Sequence, residues 1–285
     1  MQDLKIIIFG DWGDMTHLAR INANNIHKNK DVNFIILLGD NFYPSGVSSV
    51  FDPQWTTKYR ELFNSNIDTF SVLGNHDYVL NPEAQIEYST INKHWKMPFH
   101  YYDMMINLKN SKVHFIFIDT CIMAEDTTHN LLRVMNTNNK SFENFRNIKN
   151  KIQEKQNRWL EDVLKLSEAK WKIVCGHYPV FSKGHHKISM KFQKYLSNLF
   201  AIHGVDFYFS GHDHNMQHLQ NKKTHYIISG AFSSFHRIPC LFDDSISKSG
   251  GFVRLLINDD RVVVEYIGTC NQVLYRFSCS KLEVQ

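Results

Sequence analysis

The sequence predicts an α/β fold. Three observations carry that expectation: short apolar runs rich in Ile, Val and Phe recur along the chain, amphipathic stretches of helical period lie between some of them, and several runs end in a glycine followed by a polar side chain. A chain of 285 residues with 43% hydrophobic and 21% charged residues has enough apolar material for a large core, and one domain over 1–285 is expected.

Taken in order, the runs at 4–9, 34–38, 70–73, 113–118, 172–175 and 207–209 are nearly continuous in Ile, Val, Leu and Phe, the pattern of strands buried on both faces. Those at 226–228, 252–257, 262–267 and 273–277 follow closely and partly alternate, so the C-terminal part is predicted to be β-rich with tight turns. A helix is predicted over 152–166, where Ile152, Trp159, Leu160, Val163, Leu164 and Leu166 mark one face. A second is predicted over 192–202, with Phe192, Tyr195, Leu196, Leu199 and Phe200 at helical spacing and Gly204 as a stop. The Asn-rich, polar stretch 125–151 has little periodicity and reads as a surface excursion.

The charge balance, 32 basic against 28 acidic residues, is mild and scattered, which gives no stripe for a nucleic acid. No run of about 18 apolar residues occurs, so no membrane span is expected. The N-terminus lacks a basic segment and a small-residue cleavage site, so no secretory signal is expected and the compartment is left unassigned. The five cysteines form no CxxC pair and read as thiols, with Cys175 a small core residue. Sixteen histidines would add positive charge as pH falls toward 6, which favours anionic substrates in acid.

Five runs end alike, in Gly10-Asp11, Gly39-Asp40, Gly74-Asn75, Gly176-His177 and Gly211-His212. The carboxyl ends of strands in α/β proteins open into loops that share one crevice, and glycine lets the backbone turn there without steric cost. One Gly-Asp is an ordinary turn; five after apolar strands point to a shared site. Asp11, Asp40, Tyr43, Asn75, His177, His212 and His214 offer oxygen and nitrogen donors with no thiolate, a set suited to iron, manganese or zinc. A carboxylate common to two ions would hold them the roughly 3.5–4 Å apart that two-metal hydrolysis uses.

GDWGD at 10–14, GDNFY at 39–43, GNHD at 74–77, VCGHYP at 174–179 and GHDHN at 211–215 together resemble the purple acid phosphatase signature. The likeness is closest to the small tartrate-resistant type of the metallophosphoesterase superfamily and extends to AQIEYSTINKHW at 84–95 and the sheet-forming C-terminus. The resemblance implies a single calcineurin-like domain, a four-layer sandwich of two mixed β-sheets flanked by helices. It implies that Asp11, Tyr43 and His214 hold one ion, Asn75, His177 and His212 the other, and that Asp40 bridges them. Where the wider superfamily usually has a D-x-H motif, this chain has Gly13, and the Tyr43 phenolate takes the place of the imidazole. A phenolate favours Fe(III), so a violet ferric centre with a second divalent ion, Fe, Zn or Mn, is implied. The three anionic donors leave such a pair cationic, able to bind a phosphate dianion and to generate hydroxide from bound water.

The implied reaction is hydrolysis of phosphate monoesters by that metal-bound hydroxide, with His76 or His186 as general acid; the implied substrates are a small phosphomonoester or a phosphoprotein, and the chain is expected to be a monomer. His185 beside His186 competes for its assignment. A phosphodiesterase or nucleotide pyrophosphatase on the same core, or a catalytically silent scaffold, are the alternative readings. His17, His27, His94, His129, His203, His218, His225 and His236 belong to no motif and read as solvated or packed. The small animal enzymes carry a disulfide near the site, for which only Cys121 has a counterpart, and a variable loop over the pocket that corresponds to 233–245.

Overall fold

The computed structural model describes residues 3–63, 66–124, 139–238 and 249–281, with 139–149 described by backbone alone. Strands β1 (Leu4–Phe9), β2 (Phe34–Leu37), β3 (Asp68–Ser71) and β4 (Trp95–Lys96) run parallel and are extended on one side by the antiparallel meander β11 (Gly251–Ile257), β12 (Arg261–Gly268) and β13 (Val273–Ser280). The resulting seven-stranded sheet has the order β13-β12-β11-β1-β2-β3-β4. In the second sheet, of six strands, β6 (Lys112–Phe117), β7 (Trp171–Cys175), β8 (Phe207–Ser210) and β10 (Thr224–Ser229) are parallel. Its edges, β5 (Tyr102–Asn107) and β9 (Met216–Asn221), run antiparallel to their neighbours.

Alternation along each strand decides which layer a side chain joins. On β1, Ile6 and Ile8 enter the interior between the sheets, where they meet Phe34, Ile36, Phe115, Phe117, Ile173, Phe207 and Leu255. Ile7 and Phe9 point outward and are covered by Ala19, Ala23 and Ile26 of α1 (His17–Lys28) and by an aromatic group that includes Trp12, Trp55, Tyr88 and Trp95, with Tyr88 on α2 (Glu83–Ile91). The outer face of the second sheet, Ile116, Val174, Tyr208 and Tyr226, is covered by Ile122 of α3 (Thr120–Met123), Leu160 and Leu164 of α4 (Asn139–Leu166) and Leu196 and Phe200 of α5 (Met190–His203). Two mixed sheets flanked by helices thus make four layers.

The predicted helices lie within α4 and α5, and Gly204 stops α5 in the left-handed conformation, at φ 65°. The surface excursion expected over 125–151 needs correction: α4 already begins at Asn139, while 125–138 lie outside the described residues. Polarity misled there, because Phe142, Phe145 and Ile148, at helical spacing with Ile152, are hidden among Asn, Lys and Arg. The strand expected over 70–73 is displaced to Asp68–Ser71, and Val72 and Leu73 continue as buried chain toward Gly74. Helix α1 was not predicted. Its inner face includes the buried polar residues Asn22 and Asn25, which donate to the carbonyls of Phe232 and Thr269, so the apolar periodicity is diluted.

Of the described cysteines, Cys121 is buried with its thiol on the Leu73 carbonyl at 3.7 Å, and burial pushes the Cys175 thiol well up, as a core residue requires. No helix among the described residues is long and apolar enough to cross a membrane.

Candidate metal centre

The five glycine-led turns follow β1, β2, β3, β7 and β8, all at the carboxyl ends of parallel strands, and the two sheets bring them to one edge of the sandwich. Several donors stand on unusual backbone: Asp11, Asp40 and His212 have φ of 57°, 51° and 67°. The left-handed region is costly for a residue with a Cβ and persists only where surrounding structure enforces it. Here the Asp11 amide donates to the Gly39 carbonyl at 3.0 Å and the His212 amide to Asp11 Oδ2 at 2.9 Å, which locks the turns to one another. Gly39, at φ 87°, and Gly74 touch across the crevice, and a Cβ on Gly74 would collide with the amide and Oδ1 of Asp40.

The side chains converge from these turns. Tyr43 Oη lies 3.1 Å from Asp11 Oδ1, 2.9 Å from Asp40 Oδ2 and 3.0 Å from His214 Nε2. On the other side of Asp40, Oδ1 faces His177 Nε2 at 3.5 Å, and that nitrogen is 3.1 Å from Asn75 Oδ1. The His212 ring stands beside His177 with centroids 5.1 Å apart. Asp40 therefore turns one oxygen to each of two donor groups, Asp11, Tyr43 and His214 on one side and Asn75, His177 and His212 on the other.

Two imidazoles are fixed by their second nitrogens. His177 Nδ1 donates to the Leu38 carbonyl at 2.9 Å, which leaves Nε2 with its lone pair toward the crevice. His214 Nδ1 meets Ser234 Oγ at 2.6 Å, so its Nε2 faces Asp11 and Tyr43.

This donor set fits a pair of cations. Asp11, Asp40 and His177 are buried and offer ligand atoms all within 4.8 Å of one another. Burial, and then the charges of Asp11 and Asp40, hold the Tyr43 phenol well above its usual range, the expected state of crowded anionic donors that share no positive charge. Burial and the neighbouring imidazoles, His177 first, push His212 well below the usual histidine range, which keeps its lone pair available. Asp77, of the same GNHD turn, is pushed up to about 7 by burial and the Asp40 charge. It accepts from the amides of Asn41 and Gly74, at 3.1 and 2.8 Å, and so ties two of the turns together.

Of the two histidines expected as proton donors, His76 stands over the centre. Its Nδ1 meets the Pro44 carbonyl at 2.6 Å, its Nε2 is 4.0 Å from Asp40 Oδ2, and its ring centroid is 4.5 Å from that of Tyr43. His186 stands beside the other donor group, 4.2 Å from the His212 ring, with Nδ1 on Asp213 Oδ1 at 2.7 Å. The hydrogen bond to Asp213 raises the His186 pKa. Burial alone would raise Asp213, but hydrogen bonds from His186 and Ser182 outweigh it and keep this carboxylate low.

Asp213, Ser234, Asp77 and His236 were missed in the sequence. His236, read as solvated or packed, does pack, and its partner is the His214 ring at 5.2 Å. Only Asp213 and Asp77 carried a signal, by lying inside GHDHN and GNHD. The expected loop over 233–245 is described only as far as Ile238; 239–248 lie outside the described residues.

A sequence profile of the calcineurin-like phosphoesterases matches residues 4–216. Tartrate-resistant acid phosphatase type 5 of Oryctolagus cuniculus is 31% identical over 96% of this chain and 90% of its own length. Purple acid phosphatase 7 of Arabidopsis thaliana is 28% identical over 98% and 86%. Among solved structures, GAP50, described as the anchor in the inner membrane complex of Plasmodium, superposes with a TM-score of 0.84 at 24% identity, covering 99% of this chain and 90% of that one. Purple acid phosphatase PPD1 from yellow lupin superposes at 0.68 and 16% identity, covering 98% and 54%. The chain belongs to the calcineurin-like phosphoesterase family, where its curated relatives are the tartrate-resistant and purple acid phosphatases.

Proposed function

We propose that this protein is an acid phosphatase that hydrolyses phosphate monoesters at a dinuclear centre of Fe(III) and a divalent Fe, Zn or Mn ion. The observation that carries the reading is the split environment of Asp40, with Tyr43 on one oxygen and His177 on the other. In this reading Asp11, Tyr43 and His214 hold the first ion, Asn75, His177 and His212 the second, and Asp40 both. When bound, such ions polarise the phosphoryl group and lower the pKa of a coordinated water.

The chain supplies the proton for the leaving oxygen. With Nδ1 committed to the Pro44 carbonyl, His76 can deliver a proton only from Nε2, which faces the centre. His186 is held the same way by the Asp213 carboxylate, whose hydrogen bond keeps the imidazolium populated at higher pH than an unpaired histidine. His76 stands beside Tyr43 and His186 beside His212, so each donor group has one of them as a neighbour. The substrates fitting this arrangement are small phosphomonoesters or a phosphoprotein.

Hydrolysis of p-nitrophenyl phosphate by the iron- and zinc-loaded protein in mild acid tests the proposal, with bis-p-nitrophenyl phosphate as the diester control. Preference for the diester would favour the phosphodiesterase or nucleotide pyrophosphatase reading. Inactivity on both, across several pH values and with metals bound, would favour a scaffold of this fold, the reading to which the likeness to the Plasmodium anchor lends support.

A further inference from the structure

Lys58 belongs to no motif and lies outside the donor set, yet its ammonium joins the turns after β1 and β2 through their carbonyls. Its Nζ is 2.9 Å from the Gly13 carbonyl and 2.5 Å from the Tyr43 carbonyl. We propose that Lys58 is a positioning residue that clamps these two turns and so fixes the reach of the Tyr43 phenol toward the ion it would share with Asp11 and His214. The inference rests on the dinuclear reading above.

The local chain is shaped for this contact. Lys58 sits on a six-residue π-helical turn, Trp55–Arg60, a wider winding that often marks functional sites. Trp55 and Tyr59 anchor the turn in the core. Trp55 packs edge-on against Phe42 at 4.7 Å, and Tyr59 lies 6.2 Å from Trp12, so the turn is seated on the residues adjacent to Tyr43 and Asp11. The Gly13 carbonyl also accepts the Tyr43 amide at 3.2 Å, and the Gly13 amide donates to the Asp40 carbonyl at 3.3 Å. Lys58 thus closes a loop of hydrogen bonds that runs through the backbone of Tyr43 and Asp40, two of the three anionic donors. A bond from an ammonium is stronger than one between neutral groups, and both of its acceptors here are in the turns that bear Tyr43 and Asp11, so removing it should loosen Tyr43 more than it loosens the fold.

Lys58→Met keeps the aliphatic stem and removes the clamp, whereas Lys58→Arg keeps charge and donors; Lys58→Gln serves if the Met variant does not fold. The readouts are the visible band of the iron-loaded protein, the half-time of iron release to a chelator, and kcat and KM for p-nitrophenyl phosphate. The proposal expects Lys58→Met to shift the band, to release iron at least tenfold faster, and to lower kcat with KM within twofold, and Lys58→Arg to restore most of the band. A wild-type band with release within twofold in Lys58→Met overturns it, as does a loss that Lys58→Arg shares in proportion to a lowered Tm. If the wild-type protein itself shows no visible band, the ferric reading fails instead. The clamp is then judged by exchange of the Tyr43 amide in metal-free protein, where at least tenfold faster exchange in Lys58→Met supports it and unchanged exchange sinks it.

Discussion

The hydroxyl of Tyr43 touches two carboxylates and an imidazole; as a neutral phenol it has one proton to give to them, whereas a cation in the crevice would be shared by the whole group. Replacing it by Phe removes one oxygen from a buried group of donors. Tyr43→Phe is expected to abolish the visible band of the iron-loaded protein while circular dichroism stays unchanged; a surviving band would remove Tyr43 from the centre. A second buried cluster makes a pH-dependent claim. Burial alone would lower His100, but the hydrogen bond and charge of Asp119, with Glu83 at 2.7 Å, outweigh it and push the imidazole up to about 9. Because the folded value exceeds the unfolded one, this stabilisation is complete below about pH 6.5 and is lost as pH rises through about 9. For a group so well buried it is on the order of 3 kcal/mol. The Tm gap between wild type and His100→Asn should therefore shrink from pH 6.5 to 9.5, and a gap that stays constant would refute the assignment. Tyr43 and the other donors were legible because each stands at a fixed offset in a short motif. Lys58 and Ser234 were not, since what they touch is a backbone carbonyl or a ring nitrogen far away in the chain.

Strands ending in glycine turns were the part of the architecture most open to reading from sequence. Uninterrupted Ile, Val and Phe marked β1, β2, β6, β7 and β8, and the glycine after each of β1, β2, β3, β7 and β8 marked a site-bearing turn. The edge strands β5 and β9 escaped because one face of each meets solvent and carries polar residues such as Asp103 and Gln220, which dilute the apolar signal. The order of strands in each sheet was equally hidden, since it depends on contacts that no local pattern records. The turns also define the tightest steric test. Gly74→Ala sets a methyl against the Asp40 amide and carboxylate, backbone and ligand together, with no flexible atom to yield. Overpacking of this kind costs about 1–3 kcal/mol, and here the strain falls on Asp40. The expected result is a modest fall in Tm with a large loss of bound metal; full metal content in Gly74→Ala would show that the crevice has more slack than its geometry implies.

Across the whole molecule, one apolar layer runs between the sheets, with residues of β1, β2 and β11 meeting residues of β6, β7 and β8. Neither sheet can cover its inner face alone, and on that ground we propose that residues 1–285 form one cooperative domain. Phe115 lies in the middle of this layer, fully buried and edge-on to Phe34 of the other sheet at 5.6 Å. Phe115→Ala should cost about 3–5 kcal/mol, lowering the melting of metal-free protein as a single transition; two resolved transitions would mean that the sheets unfold separately. The same rigid interior bears on the contorted donors Asp11, Asp40 and His212. Left-handed backbone at such residues costs of order 1–3 kcal/mol each, an amount met during folding by the packed sheets and not by whatever later occupies the crevice. The chain is therefore expected to keep its ligand geometry without an ion, so that stripping and restoring metal should leave its circular dichroism unchanged, and a spectrum altered by demetallation would refute this.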